Sequence, residues 1–157
     1  MDLQRLKANL GLRLFAWRYI PLIGFCGPVI EQMDERALRI RMPLGWRTRN
    51  HLGSMYFGAL ATGADLVGGL LVMEKGRARG KKVHFAFKDV QGDFLKRPEG
   101  DVQFDCAAGA SIDAMIDASL ASGQRINRPI EVVASCPSLS GDEPVARFVL
   151  TLSIKAS

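Results

Sequence analysis

The chain has 157 residues, 48% of them hydrophobic and 24% charged, which is the mixture of an ordinary globular domain. This length suits one domain with a sizeable core, so we expect residues 1–157 to form a single unit rather than a repeat array or a disordered chain. The formal net charge of +5 favours an anionic partner: nucleic acid, a membrane surface or a phosphate-bearing ligand.

Cysteine and histidine are too scarce and too scattered for a structural metal site or a disulfide framework. The three cysteines are far apart, and only His51 and His84 could join them as ligands. We therefore interpret the cysteines as ordinary core or surface residues of a protein in the reducing cytoplasm, and we expect no metal site. The N-terminus does not have the pattern of a secretory signal, because Arg13 and Arg18 interrupt its apolar stretch.

Apolar residues recur at helical spacing near the start of the chain, which predicts an amphipathic helix over 2–18 within an extension of residues 1–20. The recurring residues are Leu3, Leu6, Leu10, Leu14 and Trp17. We expect this stripe to pack on the domain's own core, with membrane anchoring as the alternative. After it, Pro21, Gly24, Gly27 and Pro28 predict a break in regular structure.

Two strands, a long helix and then four strands follow. The first strands are predicted at 29–33 and 37–42, and Ser54 is the expected N-cap of a helix running to about 74. A glycine-rich basic loop is expected at 76–82, and 111–122 is left open between helix and strand. The later strands are predicted at 83–95, 100–109, 128–136 and 144–155. This order indicates an α+β fold in which an antiparallel sheet wraps around the long helix.

The long helix contains a single charge. Between residues 52 and 73 only Asp65 is charged, and that carboxylate with five glycines argues for a buried central helix rather than a membrane span. Asp65 shares one face with small residues, where a backbone or a ligand can approach closely. The other members of this face are Gly58, Ala61, Thr62, Gly68 and Gly69. Asp65 is either functional or hydrogen-bonded to a neighbouring loop or subunit.

The spacing along the helix predicts a dimer. The N-terminus of a helix presents free N–H groups and the positive end of the dipole, which can stabilise an oxyanion. Asp65 lies about 15 Å from a helix start near Ser54, at 1.5 Å per residue. One helix therefore cannot bring both groups to one carbonyl, and a second subunit would have to supply one of them.

The stretch from Asn50 to Asp65 resembles the signature of hotdog-fold acyl-CoA thioesterases, closest to the phenylacetyl-CoA thioesterase branch or its relatives of unknown function. In that family an Asn-containing loop leads into a His-Gly-Gly turn at the start of the central helix. An acidic residue follows nine positions after the His. Tyr56 occupies the His position here and Phe57 that of the first Gly, while the spacing to Asp65 is kept. The resemblance implies a hotdog fold over roughly residues 25–155.

The resemblance also implies roles. Asp65 would be the general base or the nucleophile, Asn50 would position water or substrate, and the N–H groups of Phe57 and Gly58 would polarise the thioester carbonyl. Lys88 falls near a strand position where relatives often carry a hydroxyl residue. Other residues assigned to the substrate are Tyr56, Thr62, Arg47 and Arg49, the arginines facing the phosphates of coenzyme A.

The expected function is hydrolysis of an acyl-CoA, with no cofactor other than the coenzyme A of the substrate. The expected assembly is a homodimer or a dimer of dimers, with neither nucleic acid nor membrane as a partner. The basic loop 76–82 has no interleaved aromatic residues of the kind that bind nucleic acid. Two alternatives stay open: an acyl- or CoA-binding protein without turnover, and a dehydratase, which would need a His beside the carboxylate.

Overall fold

A computed structural model of the chain describes residues 3–157. The elements, in chain order, are α1 (Leu3–Tyr19), α2 (Pro21–Cys26), β1 (Val29–Met33), β2 (Leu38–Met42), α3 (Phe57–Ala78), β3 (Val83–Phe94), β4 (Val102–Cys106), α4 (Gly109–Ser122), β5 (Ile126–Ser135), α5 (Pro137–Ser140) and β6 (Pro144–Ala156). Residues 1 and 2, where the first helix was predicted to start, lie outside the described part.

The six strands form one antiparallel sheet in the order β1-β2-β4-β5-β6-β3. Alternating side chains explain why it has one buried face. In β2, Leu38, Ile40 and Met42 are fully buried, while Arg39 and Arg41 point the other way. Each arginine is paired with a carboxylate, Arg39 with Asp105 at 2.7 Å, for example. The predicted α+β arrangement of an antiparallel sheet around a long helix is confirmed.

Helix α3 lies against the buried face of the sheet and fills the core. Its inner side includes Ala64, Val67 and Val72, each 0% exposed. At Gly63 the helix touches the ring of Phe104 on β4 so closely that a Cβ there would overlap it. By length and composition α3 could cross a membrane, but 56% of its apolar stretch is buried inside the protein, which identifies it as the core helix.

Several predicted boundaries were wrong. Helix α3 begins at Phe57 with Tyr56 as its N-cap, because the side chain of Ser54 is buried and bonded to Asn50 instead. At its other end α3 continues to Ala78, so the expected loop at 76–82 is shorter. A short helix, α2, occupies the predicted break. The segment 111–122, left open between helix and strand, lies in helix α4.

Helix α1 packs on the rest of the chain with the opposite face from the one predicted. Leu12 and Ala16 are its buried residues. The side chain of Asn9 fixes it to β1, accepting from the N–H of Ile30 at 2.8 Å and donating to the carbonyl of Ile30 at 3.0 Å. The predicted stripe of leucines and Trp17 is exposed instead, so its expected packing on the core was wrong.

Candidate functional site

The loop before α3 is tied together by the Asn50 side chain. Its Oδ1 accepts from the N–H of Leu52 at 2.9 Å and of Ser54 at 3.2 Å, and its Nδ2 donates to the Ser54 hydroxyl at 3.1 Å. Gly53, with a φ of +79°, allows the chain to turn between them. Asn50 therefore fixes the backbone that leads into the helix, which is an organising contact in addition to any contact with a ligand.

The N-terminus of α3 presents free donors. The N–H groups of Ala59 and Leu60 donate to the carbonyl of Tyr56, at 2.9 and 3.1 Å. The N–H groups of Phe57 and Gly58 come first in the helix and donate to no carbonyl within residues 3–157. They lie at the positive end of the dipole, which is the arrangement that stabilises an oxyanion.

Aromatic rings surround this helix start. The Tyr56 ring packs against the Cα of Gly58, so a Cβ at Gly58 would lie 2.5 Å from it. The Phe57 ring makes edge contacts with Tyr56, centroids 5.5 Å apart, and with Phe94 on β3, 6.1 Å apart. More than half of the surface of each of these three rings is exposed, so they form an uncovered apolar face.

A groove of about 300 Å³ opens beside this face. Asn50, Phe57 and Phe94 line it together with two cations, Lys96 and Arg97. Lys96 is paired with Glu143 at 2.5 Å, and Arg97 with Glu99 at 2.5 Å; these pairs are exposed and therefore exchange readily with other anions. The groove thus joins apolar rings, an amide and positive charge at the helix N-terminus.

Asp65 is the unusual residue of α3. It makes no hydrogen bond or ion pair within residues 3–157, and it is exposed in the single chain although its neighbours Ala64 and Leu66 are buried. Protein packed around the carboxyl removes part of its hydration, and this desolvation raises its pKa above the ordinary aspartate value. An unpaired carboxylate with a raised pKa is suited to accept a proton from water.

The small-residue face of α3 has two parts. Gly68 and Gly69 are covered by the chain itself, because Phe87 and Phe85 of β3 pack directly on them. Towards the N-terminus the face stays partly open at Asp65 and Thr62. The Thr62 hydroxyl donates to the carbonyl of Gly58 at 2.7 Å, so its proton is already used within the helix.

The open part of this face lies beside an unpaired sheet edge. Strand β3 pairs with β6 on one side only. Val90 lies opposite Leu150, and Phe94 opposite Ala146, in the antiparallel register. Opposite residues point to the same side of a sheet, so Val90 and Phe94 face the helix side like their buried partners. They are nevertheless 57% and 53% exposed, so this side of β3 is an uncovered apolar strip beside α3, which we call the slot.

The structure brings together some of the predicted site residues and separates others. Asn50, Phe57 and Gly58 meet at the helix start, whereas Asp65 lies eight residues further on, about 12 Å at 1.5 Å per residue. The distance between the helix start and Asp65 is therefore shorter than the one predicted for a helix starting near Ser54, but the conclusion is the same. One chain does not place its own Asp65 at its own oxyanion site.

The remaining predicted residues are dispersed around the site. Lys88 is exposed at a β-bulge between Phe87 and Val90, and no hydrogen bond or ion pair within residues 3–157 fixes its side chain. The Arg47 guanidinium lies over the Phe25 ring, 5.8 Å from its centroid. Arg49 is exposed and unpaired within residues 3–157, and its backbone bridges to Met55 next to the helix start. Of the predicted arginines, Arg49 is the better placed for a ligand at the groove.

Sequence reasoning missed the groove residues of the segment after β3. Phe94, Lys96 and Arg97 were assigned only to a strand and its end, because nothing local marks them as neighbours of Phe57. The available signal was the length of β3, since a long edge strand antiparallel to the helix must end near the helix start. The three cysteines are all buried, so of the two expected roles they have the core one.

A family model described as a domain of unknown function (DUF4442) matches residues 11–152. The chain belongs to this family. None of the curated proteins matches it.

Solved structures share the fold of this DUF4442 chain. A Pseudomonas aeruginosa protein of unknown function, described as a "Probable Thioesterase", is 22% identical, with a TM-score of 0.79 over 96% of both chains. A Chlorobaculum tepidum protein of unknown function is 16% identical, with a TM-score of 0.82 over 96% of both chains. A thioesterase from Haemophilus influenzae is 15% identical, with a TM-score of 0.62 over 90% of this chain and 87% of that chain. The DUF4442 chain therefore has the thioesterase-like hotdog fold that its sequence predicted.

Proposed function

We propose that this protein hydrolyses an acyl-CoA thioester to the free acid and coenzyme A, acting as a homodimer in the cytoplasm. The observation that carries the proposal is Asp65: a carboxylate without a partner within residues 3–157, with a raised pKa, on the open face of an otherwise buried helix. The similar structures described as thioesterases support the same chemistry. An unpaired carboxylate on a mostly buried helix lowers the stability of the fold, and such a cost is typical of catalytic residues.

The second subunit completes the site. Edge strand β3 exposes unpaired backbone groups and an apolar slot, and both favour pairing with another copy of the same edge. In such a symmetric dimer the β3 strands run antiparallel, so the helix start of one subunit approaches Asp65 of the other. The partner's β3 then covers the slot, and a stack of two dimers would be a further level of assembly.

Hydrolysis in this dimer uses groups from both chains. The N–H groups of Phe57 and Gly58 in one subunit hold the thioester oxygen and stabilise the negative charge that develops on it. Asp65 of the other subunit takes a proton from water, which attacks the carbonyl carbon; the C–S bond breaks, and the proton goes to the departing thiolate. In the alternative route Asp65 attacks the carbonyl carbon itself; the C–S bond breaks, the coenzyme A thiolate leaves and takes a proton from water, and an acyl-enzyme anhydride forms. Hydrolysis of this anhydride releases the free acid and regenerates the Asp65 carboxylate.

The groove provides for the rest of the substrate. Lys96, Arg97 and Arg49 are exposed cations near the helix start and match the phosphates of coenzyme A. The apolar slot lined by Phe57, Val90 and Phe94 receives the acyl group. Asn50 holds the loop that aims the oxyanion donors, and it has amide capacity left for the water or the substrate.

One observation favours binding without turnover. The Tyr56 ring lies against Gly58, and Phe57 exposes 59% of its surface, at positions where the resemblance implies a His and a Gly. These rings would fill space that a thioester carbonyl needs. The dehydratase alternative has less support, since His51 is in the exposed loop and His84 is at the opposite end of β3 from Phe94.

The test measures thiol release from short, long and aromatic acyl-CoAs by the native protein and by Asp65→Asn. Loss of a general base is expected to lower the rate by about 10²–10⁴-fold. Asp142→Asn, which changes an exposed carboxylate elsewhere, is the matched control and should keep full activity. Ligand-induced thermal stabilisation of the native protein without thiol release would support the binding protein instead, and an enoyl product would support a dehydratase.

Mixing subunits tests the shared site. Asp65→Asn and Asn50→Ala are each expected to be inactive as homodimers. A mixed dimer has one site with both groups intact and one with neither, so random exchange restores about a quarter of the native activity. Native activity that depends on Asp65 but is never restored by mixing would place both groups of the site in one chain.

A further inference from the structure

The outward face of α1 is an apolar stripe that residues 3–157 leave largely exposed. Its members occupy five positions along the helix and are each about half or more exposed. They are Leu3 (63%), Leu6 (49%), Leu10 (58%), Leu14 (66%) and Trp17 (59%), and we call them the α1 stripe. Single exposed leucines are common on protein surfaces, but a stripe running the length of a helix indicates a partner surface.

Cations border the α1 stripe on both sides. At 100° per residue, the five apolar residues fall within an arc of about 80°, with Lys7 and Arg18 next to one edge and Arg13 next to the other. Helix α1 also carries Arg5, and between Leu3 and Tyr19 there is no acidic residue. Long basic side chains beside a narrow apolar stripe can reach outward to anions while the stripe inserts among apolar groups.

The rest of the protein fixes this face outward. Leu12 and Ala16 are buried on the opposite side of the helix, and the two hydrogen bonds between Asn9 and Ile30 hold it against β1. Strand β1 lies at the other end of the sheet order from β3. A dimer formed through β3 therefore leaves the α1 stripe open.

Exposed aromatic residues extend the stripe at its C-terminal end. The Trp17 ring packs on Gly24 of α2, where a Cβ would lie 2.9 Å from it. Nearby in α2, Phe25 contacts Trp46 edge-to-face, with ring centroids 5.7 Å apart, and Trp46 is 74% exposed. Tryptophan is favoured where an apolar surface meets the polar headgroups of a bilayer.

We propose that α1 lies flat on an anionic phospholipid bilayer, with the α1 stripe among the acyl chains and its cations on the phosphates. All five stripe residues are exposed on one helix face, which suits an extended flat surface better than a groove. A second copy is disfavoured because pairing two α1 helices through the stripe would bring six cations together, Lys7, Arg13 and Arg18 of each copy, with no acidic residue between Leu3 and Tyr19 to neutralise them. This proposal departs from the expectation of no membrane partner, and it is independent of the thioesterase activity.

The test is flotation of the full chain with vesicles of one part phosphatidylglycerol to two parts phosphatidylcholine. The native protein should float with these vesicles at low salt, and binding should weaken as salt screens the cations. Pure phosphatidylcholine vesicles should bind it at least tenfold less. In a Trp46→Phe background, the fluorescence of Trp17 should shift to the blue on binding.

Exposed positions permit substitutions that leave the fold intact. Replacing Leu10 and Leu14 with Asn should lower vesicle binding at least tenfold, whereas Leu139→Asn, at a leucine on α5 that is 49% exposed, should have no effect. Unchanged circular dichroism and melting temperature will establish that all variants are folded. Failure of the native protein to float, or flotation indifferent to Leu10 and Leu14, would overturn the proposal. So would self-association in sedimentation that the Leu10 and Leu14 changes abolish, since a second copy would then cover the stripe.

Discussion

Helices α1 and α3 are both rich in apolar residues, but they use them in opposite ways. In α3 most of the apolar residues after Phe57 are buried, and the one charged residue on its small-residue face, Asp65, is left open. In α1 only Leu12 and Ala16 are buried, and the larger stripe of leucines and Trp17 faces outward. Periodicity therefore identifies a helix without telling which face is inside.

The reason is that α1 has two apolar faces. Leu12 and Ala16 lie opposite Leu10 and Leu14 on the helix, so packing either face would satisfy the pattern. The inner face is selected by Asn9, whose amide matches the free backbone groups of Ile30 on β1. A polar contact between distant residues thus decides the orientation that the hydrophobic pattern leaves open.

The largest expected difference between the two helices is at leucine positions. Leu71→Ala in α3, at a side chain 1% exposed, is expected to lower the free energy of unfolding by about 2–5 kcal/mol. Leu14→Ala in α1, 66% exposed, should change it by less than about 0.5 kcal/mol. Urea unfolding of both variants measures the difference. A loss at Leu14 similar to that at Leu71 would mean that the stripe is buried in the protein in solution.

Replacing a glycine with alanine is expected to have a smaller effect on stability, and the effect should have opposite signs in the two helices. In α3, a Cβ at Gly63 would collide with the Phe104 ring, so Gly63→Ala is expected to destabilise the fold by about 1–3 kcal/mol. In α1, Gly11 has nothing within 4 Å of its Cβ position, and Gly11→Ala should stabilise by about 0.5–1 kcal/mol through helix propensity. Melting curves of the two variants measure the sign of each change in stability. Stabilisation by both would show that Phe104 moves aside without loss.

Much of the fold could be predicted from the sequence because the signals are local. The alternation in β2 and β6 and the long apolar run of α3 mark elements that the structure confirms. The start of α3 could not be found in this way, since Ser54 has the residue type of an N-cap but bonds to Asn50 instead. The helix α4 was ambiguous because its alanines and serines give only a weak pattern.

The candidate site was predictable only in part. Asp65 could be singled out because an unpaired charge is costly in an apolar helix. Asn50 and Phe57 could be singled out only through the resemblance. The contribution of Phe94, Lys96 and Arg97 depends on the register of β3 along α3, which is a property of the folded chain. The slot beside Val90 could not be predicted either, because it depends on the sheet order that leaves one edge of β3 unpaired.

The smallest expected effect concerns Asp65 itself and depends on pH. Because desolvation raises its pKa in the folded state, the ionised carboxylate disfavours folding at neutral pH. This penalty is fully present above the raised pKa and disappears as the pH falls below the ordinary aspartate pKa, where the group is protonated in both states. Asp65→Asn, which does not titrate, should therefore melt slightly above the native protein at pH 7.

The melting-temperature advantage of Asp65→Asn should shrink towards zero on acidification, and Asp142→Asn, at an exposed carboxylate, should show no such trend. Both measurements need the same assembly state in all variants, checked by sedimentation. Lower stability of Asp65→Asn at pH 7 would mean that the carboxylate has a stabilising donor in the assembled protein. Such a donor would make Asp65 a structural residue. A small gain in stability together with loss of thiol release would instead identify Asp65 as a catalytic group, which the helix carries at a cost in stability.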